Sequence, residues 1–285
     1  MPTELSDWVR AQGVEIRRVE PLLTASPHCN KIIPFGEDWK LHPWAPTDVA
    51  VVDVDLFFLS DPVPFLRSSR FRAPPNNHNV PPPRILRDVL DACGLCHPYR
   101  PGLSLLPGES GVRETHVNNI CASFIVAPIA GVRSFAQVWE KWARWLLDNR
   151  AVLDRWAVHV DQVSFALAME EMGEDVEHLP ATLNAILHLL PELETPVALH
   201  LSTGHIPSFP QAFDRNGCLR PQMLRPKLAG RGAFNFLVPR RKQPSEAVEW
   251  ITAFNHLVLE AGSTIETLES LRAARGMFLN PSWRR

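Results

Sequence analysis

Tyrosine is almost missing from this chain: Tyr99 stands alone beside nine tryptophans. Lysine is scarce as well, and arginine supplies most of the 29 basic residues. These nearly cancel against 31 acidic residues and form no long basic run, so no nucleic-acid partner is expected. No stretch reaches the roughly 18 consecutive apolar residues of a membrane span. The opening MPTELSDWVRAQG lacks a charged start followed by an apolar core, so no secretory signal is expected. The five cysteines are odd in number and irregularly spaced, which reads as reduced thiols in a cytoplasmic protein. Glycine follows no period and no heptad persists, which excludes collagen-like and coiled-coil architectures. There is no G-x-S-x-G elbow, P-loop or G-x-G-x-x-G turn. With 45% hydrophobic residues and a net charge of −2 over 285 residues, the chain is neither disordered nor short of core.

Proline is present in excess, at 27 residues. Ten prolines fall between Pro62 and Pro107, and none between Ile129 and Leu179. Proline removes a donor and clashes inside helices, so the first stretch is expected to be irregular and the second helical. Short helices are expected over 5–12 and 84–93, and a strand over 14–19 (VEIRRV). The segment 48–59 (DVAVVDVDLFFL) and the segment 120–127 (ICASFIVA) read as strands buried on both faces. In the proline-free stretch, Phe135, Val138, Trp139, Trp142, Trp145 and Leu146 recur at helical spacing, a stripe expected to pack in the core. A second helix starts near Asp161, a candidate N-cap, and stops before Gly173. A strand at 197–201 and two C-terminal helices, 245–261 and 263–275, complete the pattern. Strands alternating with helices predict an α/β fold with a mixed sheet.

Asp53 and Asp55 interrupt the best strand. Two apart on an extended chain, they project to one side. Buried carboxylates are costly unless paired, hydrogen-bonded or bound to a cation. Their hard oxygens suit Mg²⁺ or Mn²⁺, and ligands of open α/β sheets gather at the carboxyl ends of strands. The plainer reading is a pair of aspartates capping backbone in a turn.

DVAVVDVDLFFLSDP resembles the Asp-x-Asp segment of GT-A fold glycosyltransferases, especially the glycogenin-like and lipopolysaccharide glucosyl/galactosyltransferase group. Further segments fall in the same order as in that group: Cys29-Asn30-Lys31-Ile32, ICASFIVAP, Asp161-Gln162, and His200-x-x-x-Gly204-x-x-Pro207. The resemblance covers roughly residues 14–210. It implies a GT-A-like catalytic domain over 1–215, with a proline-rich insert at about 62–107 and a helical extension over 216–285 that packs on it or mediates an oligomer. The implied function is transfer of a sugar from a nucleotide-diphosphate donor, a UDP-sugar favoured, to an unknown acceptor. Asp53, Asp55 and His200 would hold Mn²⁺ or Mg²⁺. Asn30, Lys31, Asp53, Asp55 and Gly204 would touch the donor, and Asp161 and Gln162 would flank the transferred sugar.

The chain departs from the family pattern at three places. The strand and loop that hold the nucleotide base in the family have no counterpart before the first helix, which implies a differently built base site, a true start further upstream, or a degenerate, non-catalytic binding or assembly protein. Cys121-Ala122-Ser123 replaces Asn-x-Gly. His205-Ile206-Pro207 lacks the lysine before proline. Two further expectations concern other segments. Residues 74–83 (PPNNHNVPPP) are expected to form a stiff substrate-facing loop that sets acceptor specificity. Cys93-Gly94-Leu95-Cys96-His97 has the spacing of a haem-attachment motif, but haem attachment needs an exported chain and no export signal is expected here. The same residues, joined by Cys29, His28 or Cys218, would make a zinc site; two ordinary thiols at a helix end are the simpler reading.

Overall fold

The computed structural model describes residues 10, 15–39, 46–53, 56–58, 60–95, 99–107, 111–186 and 197–200. Asp55, Cys96, His97, Gly204, Cys218 and the two C-terminal helices lie outside the described residues, as does nearly all of the helix expected at 5–12.

The fold is mixed α/β. A four-stranded sheet has the order β1 (Asp48–Val52), β6 (Phe124–Pro128), β3 (Arg72–Ala73), β7 (Glu177–His178). β6 runs antiparallel to β1 and β3, and β3 runs parallel to β7. A second sheet orders β2 (Leu56–Phe58), β9 (Ala198–His200) and β8 (Ala185–Ile186), and β4 (Pro101–Leu103) pairs with β5 (Glu114–His116). The helices are α1 (Ile32–Gly36), entered from a 3-10 turn at Pro27–Lys31, α2 (Pro83–Cys93), α3 (Ile129–Asp148) and α4 (Val160–Met172).

The segment expected as one strand over 48–59 is two. β1 ends at Val52 and β2 begins at Leu56 in the other sheet, with Asp53 at the break. Nor is β1 buried on both faces. Among the described strands it stands at an edge of its sheet, and only Val49 is fully buried while Ala50 is exposed. β6 is central and does show the expected continuous burial, with Phe124, Ile125, Val126 and Ala127 all inaccessible. Residues 15–20 form no strand.

The aromatic stripe of α3 packs as its spacing predicts. Phe135 and Trp139 lie edge-on against Phe35 of α1 and Phe165 of α4, with ring centroids 5.1–6.3 Å apart. The helix proper begins after Gly131, whose φ of 91° suits glycine. α4 is apolar around its circumference and buried along most of its length, so it runs through the core rather than over it. Left-handed Gly94 and Gly173 close α2 and α4.

The proline- and asparagine-rich loop is not an exposed lip. Asn76, Asn77, His78, Asn79 and Val80 are all buried. Its Val80 carbonyl accepts from Asn76 Nδ2 within the loop at 2.8 Å and from Asn119 Nδ2 outside it at 3.1 Å. The loop is thus an internal wall.

Candidate functional site

Three chain segments converge on Lys31. Its ammonium lies 3.0 Å from Asp53 Oδ2, 3.5 Å from Asp161 Oδ2, and 3.0 Å from the Ala122 carbonyl, to which it donates. Each partner is placed by its element. Lys31 ends the 3-10 turn leading into α1. Asp53 follows β1, its N–H donating to the Ser123 carbonyl at 2.8 Å, which registers it against the start of β6. Asp161 lies in the first turn of α4.

Asp161 is not the N-cap that its sequence context predicts. His159 holds that position and no side chain caps the helix, because the Asp161 carboxylate is turned to Lys31. The first turn of α4 is instead pinned from α3. Trp139 Nε1 donates to the Asp161 carbonyl at 3.1 Å and to Ser164 Oγ at 3.0 Å.

All three charged side chains are largely withdrawn from water, with relative exposures of 16% for Lys31, 24% for Asp53 and 6% for Asp161. Burial works against the Lys31 charge, but Asp161 and then Asp53 more than offset it and raise the ammonium pKa above its ordinary value. The cluster is therefore a charged one, with two carboxylates around one lysine.

Behind it lies a closed ring of buried side chains. Asn77 Nδ2 donates to Cys121 Sγ at 3.4 Å, and Cys121 Sγ meets Ser123 Oγ at 3.4 Å. Ser123 Oγ donates to Asn184 Oδ1 at 2.8 Å, and Asn184 Nδ2 returns to Asn77 Oδ1 at 3.1 Å. His200, at the end of β9, stands beside the Cys121 thiol. Burial opposes ionisation of that thiol, yet His200 and then Ser123 hold its pKa below the ordinary value. Cys29, by contrast, is pushed up to about 12 by burial.

The structure thus brings Lys31, Asp53 and Asp161 into direct contact and sets His200 against the same Cys121–Ser123 segment. Gln162 follows Asp161, and its Oε1 is buried without a hydrogen-bond donor among the described residues. Asn30 is turned elsewhere: its Oδ1 accepts from the Leu22 N–H at 2.9 Å. Asp55 and Gly204 lie outside the described residues. Sequence reasoning missed Asn77 and Asn184 as members of the site. Asn77 stands in the loop singled out for its composition, whereas nothing local marks Asn184.

The residues fit a divalent cation in kind. Asp53 offers hard oxygen and His200 an imidazole, and Asp55 would supply the next oxygen. Among the described residues no group of three His, Cys, Asp or Glu side chains is placed to hold an ion. Cys93 is half-buried, its thiol pushed up to about 12 by burial. No helix among the described residues is long and apolar enough to cross a membrane. No protein-family model, curated protein or solved structure matches the chain.

Proposed function

We propose that this chain is a GT-A-like glycosyltransferase acting on a nucleotide-diphosphate sugar with Mn²⁺ or Mg²⁺. The observation that carries the reading is the Lys31 ammonium between Asp53 and Asp161. Three residues singled out by one resemblance, and far apart in sequence, share one contact.

Sugar transfer breaks the anomeric C–O bond and develops negative charge on the departing diphosphate. A divalent ion held by Asp53, Asp55 and His200 would neutralise that charge as a Lewis acid. Lys31 contributes a fixed positive charge beside the same position, in surroundings that exclude much water. Trp139 holds the main-chain carbonyl of Asp161 and so fixes the turn that carries its carboxylate, which would face the positive charge that grows on the sugar. Gln162 Oε1, buried without a donor among the described residues, suits a sugar hydroxyl.

Titration calorimetry with UDP tests the reading. UDP is expected to bind when Mn²⁺ is present, and Asp55→Asn is expected to abolish both the Mn²⁺ dependence and any hydrolysis of UDP-sugars. One observation favours a second reading, a non-catalytic scaffold of the same fold. Asp53 already has a cationic partner within the chain, the Lys31 ammonium that it shares with Asp161. UDP that fails to bind with Mn²⁺ present would establish that reading instead.

A further inference from the structure

Among the described strands, the four-stranded sheet ends differently on its two sides. On one side β7 is two residues long, and both Glu177 and His178 are exposed. Arg72 pairs with Glu177 at 3.0 Å. A short, charged edge strand is how natural sheets turn foreign strands away. On the other side β1 runs for five residues, DVAVV, with no lysine, proline or glycine among them. Its single charge is tied to its own chain. Asp48 Oδ2 accepts from Thr47 Oγ1 at 2.7 Å, and Asp48 Oδ1 from the Ser68 N–H at 3.1 Å.

The pairing with β6 decides which backbone groups face outward. In an antiparallel ladder, residues that exchange hydrogen bonds with the neighbour alternate with residues that point away. The Ile129 N–H donates to the Thr47 carbonyl at 2.9 Å, and the Asp53 N–H to the Ser123 carbonyl at 2.8 Å. The backbone of Thr47, Val49, Val51 and Asp53 is therefore turned to β6 and its flanks. The N–H and C=O groups of Asp48, Ala50 and Val52 are turned away, and no described strand pairs with them. Ala50, in the middle, is exposed.

This edge is complementary to a copy of itself. Turned about a two-fold axis at Ala50, a second β1 runs antiparallel to the first. It sets Ala50 against Ala50, Asp48 against Val52 and Val49 against Val51. No aspartate meets its own copy, valine falls against valine, and a small side chain stands on the axis. We propose that two copies of this chain associate through their β1 edges, joining their four-stranded sheets into one about a two-fold axis at Ala50.

Sedimentation velocity from about 1 to 100 µM tests the proposal, a range suited to an edge smaller than a standard interface. Wild-type protein is expected to shift from monomer to dimer. Ala50→Lys and Ala50→Glu each set two like charges face to face across the axis, and each is expected to weaken the dimer at least about tenfold. Mixed in equal amounts, the two variants are expected to restore it, because unlike charges then meet. Ala50 is exposed, so both variants are expected to melt as wild type does at dilutions where all are monomers. Wild-type protein that stays monomeric overturns the proposal, whether the edge takes a strand of another protein or none. A dimer that either variant leaves intact overturns it too, since the contact then lies elsewhere. A mixture that stays monomeric overturns the two-fold register at Ala50, and the proposal with it.

Discussion

Lys31 carries an ammonium where burial alone would favour the neutral amine, and two carboxylates keep it charged. Removing one member of such a cluster leaves buried charge without a partner. Lys31→Met is expected to cost about 3 kcal/mol of stability, read from the urea midpoint. Pairing it with Asp161→Asn is expected to cost less than the two single losses combined, because the substitutions share one interaction. His116 presents the opposite situation. It is buried, accepts from the Asn118 N–H through Nδ1 at 3.2 Å, and sets Nε2 3.3 Å from Glu170. Burial lowers its pKa from 6.5 to about 4, against the pull of Glu170. As the pH falls below 6.5 the unfolded chain takes up this proton first, so stability drains away until the folded protein is protonated as well, near pH 4. The loss approaches about 3 kcal/mol. Urea midpoints from pH 7 to 4 are expected to show this slope, and His116→Gln is expected to flatten it.

Among the elements, the hairpin of β4 and β5 is the least forgiving. A Cβ at Gly102 would stand 2.7 Å from Val117 Cα and 3.0 Å from Val117 N, both backbone atoms that cannot swing aside. Gly102→Ala is therefore expected to destabilise the protein by about 1–3 kcal/mol in a thermal melt. Periodicity reveals an element well when the element obeys one rule along its whole length. The stripe of α3 and the continuous apolar run of β6 do so, and both were legible. The segment 48–59 was misread because its apolar run crosses from one sheet to another at Asp53, and hydrophobicity is blind to which sheet a residue joins. Residues 15–20 alternate like a strand, yet strand character requires a neighbour to pair with, and that information lies elsewhere in the chain. Asp161 has the chemistry of a cap, but a buried lysine competes for its carboxylate and wins.

Taken as one body, the molecule threads α4 through its interior with a charged cluster at either end. At the start, Asp161 meets Lys31; near the finish, Glu170 accepts from Asn118 at 2.8 Å and pairs with Arg100. The resemblance names Lys31, Asp53 and Asp161 together, so their contact was legible from sequence. The ring behind them was not, because Asn77 and Asn184 gain their roles only from being brought together. A ligand that binds only the folded chain stabilises the whole of it. UDP with Mn²⁺ at a hundred times its dissociation constant is expected to add about 2.7 kcal/mol, seen as a raised melting temperature that EDTA reverses.

The ring of Asn77, Cys121, Ser123 and Asn184 has a consequence in time. Its closing bonds join residues 61 and 107 positions apart, and Lys31 reaches the Ala122 carbonyl across 91. Contacts of such separation form late, since long loops must close before any of them is rewarded. Helices such as α3 can take shape while the site has no existence at all. During refolding, recovery of nucleotide binding should therefore trail the return of helical signal, and the lag between the two would clock the final step of folding.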